Sequence, residues 1–223
     1  MTTTTLDSPV RSRPLALDRG TLAYLTAAAV AFNVGGALHP NDDGTGNKVA
    51  QLHDMLLRPT WYPSHLGLLV SFGLFTAAFV RMPRRLDLAP LTRRTIRVMA
   101  VVSALTTAAM VPHLLAALGA DSIADGRSNA LSVFMTLDET LADAPWALGI
   151  ALLALVAGVT KDLGNRMTAV IGVVGGLSFA AAAVTIPFTD TLDRLFAVGG
   201  TGITLWTLTV VAVGAWRRRG QQV

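Results

Sequence analysis

The sequence predicts an all-α fold of the polytopic integral membrane class: a six-transmembrane-helix bundle with N- and C-termini both cytoplasmic. Three observations carry that prediction. Of the 223 residues, 52% are hydrophobic and only 14% charged, whereas a soluble domain carries about a quarter charged residues. Six apolar runs approach or reach the length that a bilayer core of about 30 Å demands, about 20 helical residues each. The connections between them alternate between basic and acidic along the whole chain.

Residues 1–18, MTTTTLDSPVRSRPLALD, are polar, threonine-rich and broken by Pro9 and Pro14. Such a segment has no apolar face to bury and is expected to be a disordered cytoplasmic tail. The transmembrane domain is expected over 19–218, with spans at about 21–38, 62–80, 96–118, 145–160, 167–188 and 195–216. The fourth is the shortest and extends back through Pro145 toward Leu141. Lipid offers the backbone no hydrogen-bond partner, and the runs are too long for barrel strands, so each is expected to be a helix. In the first span, arginines, an apolar run and Gly35-Gly36-Ala37 also resemble a cleavable signal peptide. The run is longer than a signal core, so the span is expected to be retained. Gly172 and Gly176 form a small-xxx-small pair in the fifth span, and Gly199, Gly200 and Gly202 open the sixth, where small residues let helix backbones approach. Pro112 frees the carbonyl of Ala108 and is expected to kink the third span. Trp61, Tyr62, Trp146 and Trp216 fall at predicted span ends and are expected to anchor at the interfaces.

Charge sets the orientation. The tail, the 81–97 and 161–166 connections and the C-terminus hold 14 of the 18 basic residues against four acids. The other side holds Lys48, Arg58, Arg127 and Arg194 against ten acids. The two sides carry +10 and −6, which sum to the net +4 of the chain. Basic residues flank cytoplasmic span ends, so the first side is expected to face inward, across the cell membrane. The basic balance is therefore a topology signal, and nucleic acid is not an expected partner. The chain has no cysteine, which excludes disulfides, thiolate metal sites and iron–sulfur clusters. Between the expected interfaces no span contains Asp, Glu, Lys or Arg, which disfavours a proton-driven pump. Asn33 is the most polar mid-span side chain, and an asparagine there more often serves helix packing.

All four histidines fall in the outward half. His39 ends the first span, His53 lies in the first external loop, His65 opens the second span and His113 lies near the outer end of the third. Counted from Arg97 at about 1.5 Å per residue, His113 stands about 24 Å up its helix. His39, His65 and His113 come from three consecutive spans and are the candidate metal or haem ligands, since imidazole is the commonest metal ligand. Glu139 and Asp54 are the candidate catalytic carboxylates that would complete or orient such a site. His53 and Asp54 lie on an amphipathic stretch, Lys48–Leu57, able to fold back over it. The loop of about 25 residues around Asp138-Glu139 has apolar spacing suited to an interfacial helix or lid. The competing reading is a solvated face, with each histidine bonded to headgroups, water or backbone. No spacing matches a defined zinc pattern such as HExxH.

Pro63-Ser64-His65 resembles one piece of the lipid phosphatase signature, but no Arg–His–Asp partner motif follows. A six-span rhomboid-type protease needs a late histidine, and none lies beyond His113. Asn41-Asp42-Asp43 resembles the aspartate motifs of membrane prenyltransferases, on the side away from cytoplasmic prenyl diphosphates. The high Ala, Val, Arg and Gly content points to a GC-rich bacterial source. Two function classes stay open: a membrane-embedded enzyme or redox protein holding a divalent metal or haem and acting on a lipophilic small molecule, or a non-catalytic component, either a passive small-solute carrier or a structural partner subunit.

Overall fold

The computed structural model describes residues 16–41, 46–127 and 129–220. Most of the expected tail, 1–15, and the acids Asp42 and Asp43 lie outside them. Helix α1, Arg19–Leu38, begins where Asp18 accepts hydrogen bonds from the amides of Gly20 and Thr21. Leu17 is already buried, against Gly214, so chain packing starts ahead of the first helix. A short helix α2, Lys48–Leu57, is capped by Asn47. Helix α3, Trp61–Arg85, is followed by α4, Pro90–Leu114, whose first turn Pro90 suits because no amide is needed there. After His113, α4 tightens into a 3-10 turn, Leu115–Gly119, and a short α5, Ala120–Ala124. Helix α6, Ala130–Asp138, opens on a capping box between Asn129 and Ser132. It continues through a π-turn, Glu139–Asp143, into α7, Ala144–Thr160. Lys161 in the left-handed region (φ 62°) ends α7. Helices α8, Arg166–Thr185, and α9, Leu195–Arg219, complete the chain.

Among the described residues, six helical stretches are long and apolar enough to cross a membrane: Arg19–Leu38, Trp61–Arg85, Pro90–Ala124, Ala130–Thr160, Arg166–Thr185 and Leu195–Arg219. The expected all-α class and number of spans match this set. The fourth stretch differs from expectation: it starts 15 residues before 145. Asp138, Glu139 and Asp143 therefore lie inside a continuous helical stretch that runs through the π-turn into α7. Local charge lowers the hydropathy there, but the backbone bonding runs on through the π-turn.

The long helices pack in chain order as a closed ring, α1 on α3, α3 on α4, α4 on α7, α7 on α8, α8 on α9, and α9 back on α1. Trp146 on α7 fills the middle. It is fully buried, its ring centre lies 4.8 Å from that of Phe72 and 5.6 Å from that of Phe32, and its indole N–H donates to Ser103 Oγ at 3.0 Å. Glycines set the closest approaches. A Cβ on Gly176 would stand 2.5 Å from the carbonyl oxygen of Ala147, and one on Gly202 2.6 Å from Gly175 Cα. The small-residue pair read in the fifth span thus faces α7, and its neighbour Gly175 meets α9. Trp61 and Trp146 correct the anchoring assignment, because both are buried in the bundle. Tyr62 and Trp216 are exposed, as anchors would be. Asn33 is exposed on the outer face of α1.

A buried imidazole–carboxylate cluster as the candidate functional site

The cluster begins with Trp61, in the first turn of α3. Its indole N–H donates to the carbonyl of Leu114 at 3.0 Å, stapling the start of α3 to the end of α4. One turn along α3, His65 stacks on this ring with centres 3.9 Å apart and planes at 28°. The ring of His113, one residue before Leu114, closes a triangle with these two, 4.9 Å from His65 and 5.7 Å from Trp61. His39, at the end of α1, places its ring 4.9 Å from His65. Close packing of α1 on α3 makes that approach: Gly67 sits against Gly35, so a Cβ there would lie 3.1 Å from Gly35 Cα. The three imidazoles named from the sequence are thus brought together from three helices.

Each ring is held by the same nitrogen. His113 Nδ1 lies 2.8 Å from Asp138 Oδ2, His65 Nδ1 2.7 Å from the carbonyl of Trp61, and His39 Nδ1 3.1 Å from the carbonyl of Pro40. Carbonyl and carboxylate oxygens only accept, so Nδ1 donates in each case and Nε2 of the neutral ring carries the lone pair. His65 is 1% exposed, and its buried Nε2 meets no partner among the described residues. Asp138, 4% exposed, keeps Oδ1 unpartnered, and so does Asp143 at 8% exposure.

The cluster includes a carboxylate outside the expected pair. Asp138 is the acid bonded to an imidazole, in the place foreseen for Glu139 or Asp54. Glu139 is half-buried beside it at the start of the π-turn. Asp54 pairs with Arg58 on the outer surface of α2 at 2.5 Å. His53 is half-buried on the same helix. Helix α2 does fold over this end: Leu56 packs with Trp61, Ala116, Ala120, Ile123 and Met135, and Lys48 pairs with Asp190 in the last connection. Asp138 and Asp143 were open to discovery as two acids five residues apart, but only the π-turn turns both inward.

Among the described residues, no group of three or more His, Asp or Glu side chains is placed to hold a metal ion as the side chains stand. The stacked rings of His65 and His113 leave no room between them for a porphyrin, so this pair does not fit a bis-histidine haem. An ion bound by nitrogens at about 2.0–2.1 Å in tetrahedral geometry places neighbouring imidazole centres about 5 Å apart. The 4.9 Å spacings of His65 to His39 and of His65 to His113 are of that size, although His65 and His113 must splay from their stack for both lone pairs to reach an ion. Comparison of the chain with models of known families, with characterised proteins and with solved structures gives no match in any of the three.

Proposed function

We propose that the chain is a six-span cell-membrane protein with cytoplasmic termini, and that it binds one divalent transition-metal ion at the outer end of the bundle. The ligands are Nε2 of His39, His65 and His113. One observation carries the reading: all three rings are fixed through Nδ1 by an oxygen acceptor. That arrangement accompanies metal-ligating histidines almost everywhere, because it sets the tautomer and aims the other nitrogen. His65 Nε2, buried without a partner, supports it. His65 and His113 each stand 16 residues from an arginine at the basic end, Arg81 and Arg97, or about 24 Å along their helices. The site then lies just inside the outer boundary of the hydrocarbon layer, within reach of a lipophilic substrate in the outer leaflet. A bound ion supplies Lewis-acid chemistry, and imidazole ligation suits zinc, copper, iron or nickel. Asp138 holds His113, and Glu139 is the nearest carboxyl for proton transfer with substrate.

Detergent-purified protein, stripped by chelator and equilibrated with Zn²⁺ or Cu²⁺, tests this. About one ion per chain is expected, with loss of about 100-fold in affinity on His65→Ala or His113→Ala and no change on His53→Ala. Cu²⁺ should show nitrogen couplings in its paramagnetic resonance spectrum. Binding absent, or equal in all three variants, overturns the reading. The unformed ligand set favours one other function, a non-catalytic carrier or partner subunit, which that outcome would leave standing.

A further inference from the structure

We propose that Asp138 and Asp143 form a second, oxygen-lined site beside the imidazoles, taking a hard divalent cation of the Mg²⁺ or Mn²⁺ class. On a regular α-helix, residues five apart differ by about 140° around the axis, so one of these two acids would face outward. The π-turn, with its i→i+5 bonding, returns Asp143 to the face of Asp138. Both are consequently buried, at 4% and 8% exposure, while Leu141 between them is 67% exposed. Turns of this kind are rare and cluster at functional sites, where an uncommon backbone is retained for the geometry it gives.

Each carboxyl has a free inward oxygen. Asp138 uses Oδ2 on His113, and among the described residues Oδ1 of Asp138 and Oδ1 of Asp143 meet no donor. Helices α4, α6, α7 and α8 pack against the π-turn, and among the described ion pairs none brings a Lys or Arg to either acid. Among the described residues, His113 and Glu139 are the ionisable side chains beside the pair, and Lys48 stands near enough to Glu139 for its charge to be felt there. Two buried carboxylates without a counter-charge carry a large electrostatic cost that a cation removes. Carboxylate oxygens are the ligands that hard ions of this class take. The seven acids against four basic residues in the surrounding segments concentrate cations at this end. The proposal adds to the imidazole site and does not require it, since its ligands are oxygens.

Mn²⁺ titration of the full chain, followed by paramagnetic resonance with Zn²⁺ already bound, tests it. One Mn²⁺ per chain is expected, weakened at least tenfold by Asp143→Asn and by Asp138→Asn and kept in His65→Ala. Asp143→Glu, which moves the carboxyl by one methylene, should shift affinity while retaining binding, and size-exclusion elution checks that each variant folds. Equal Mn²⁺ affinity in wild type and Asp143→Asn overturns the site. So does failure to bind Mn²⁺ together with an infrared carboxylic-acid band that Asp143→Asn removes, because a proton then neutralises the pair. Loss of Zn²⁺ binding with Mn²⁺ binding retained would sink the imidazole reading alone.

Discussion

His113 and Asp138 show what a single contact does here. The 2.8 Å bond selects the Nδ1–H tautomer of the ring and fixes where Nε2 points. Replacing Asp138 by Asn keeps the volume but removes the charge and lets the amide present a donor to Nδ1. Transition-metal affinity is expected to fall about 10- to 100-fold, measured by competition with a chromogenic chelator. A second residue-scale device lies at the opposite end. Asp18 caps α1 and accepts from Arg81 Nε at 2.7 Å. Partial burial pushes its carboxyl up, but bonds from Arg81 and Thr21 outweigh that and hold its pKa down at about 2. A carboxyl depressed in the folded state stabilises above its unfolded pKa near 3.8, and the benefit is lost as pH falls toward 2. Asp18→Ala is expected to cost about 1 kcal/mol at pH 6. Thermal unfolding of the two proteins in detergent should converge toward pH 2; a constant gap would refute the linkage.

At the scale of elements, the π-turn and the glycine contacts are the features with consequences. Deleting Leu141 removes the extra residue that a π-turn accommodates and should restore α-helical register. Helix α6 then rotates by about 100° relative to α7, and Asp138 leaves His113. The expected result is a folded, fully helical protein by circular dichroism that has lost ion binding. The contact of α7 with α8 is tighter and less forgiving. Membrane helices gain no hydrophobic drive from one another, so close backbone approach supplies much of their attraction. Gly176→Leu inserts a side chain where a Cβ alone stands 2.5 Å from the Ala147 oxygen. A loss of about 1–3 kcal/mol or more is expected from overpacking, read as a lower melting temperature in detergent, with Gly36→Leu, which meets open space, as the neutral control.

For the whole molecule, the closed ring of helices puts the cluster at one end and the arginines at the other. Orientation in the membrane is open to direct labelling, because the chain has no native cysteine. Asp125 and Asp87 are exposed in connections at opposite ends. Asp125→Cys is expected to react with a membrane-impermeant maleimide on intact cells, and Asp87→Cys only after permeabilisation. The reverse pattern would place the imidazoles at the cytoplasmic side and overturn the outer-leaflet reading.

Sequence by itself determined the helical class, the six apolar stretches, the segregation of charge, and the identity of the three histidines. Each of these is a local or additive property: hydropathy accumulates along a run, and His39, His65 and His113 stand at span ends whatever their neighbours are. Tertiary structure alone decided that the three rings share one cluster with Trp61, that Asp138 supplies the carboxylate foreseen for Glu139 or Asp54, and that Trp146 fills the centre instead of anchoring an edge. Those depend on rotation about helix axes. One extra residue in the turn at Glu139–Asp143 changes which side chains face inward by about 100°, and no sum over residue types registers that angle.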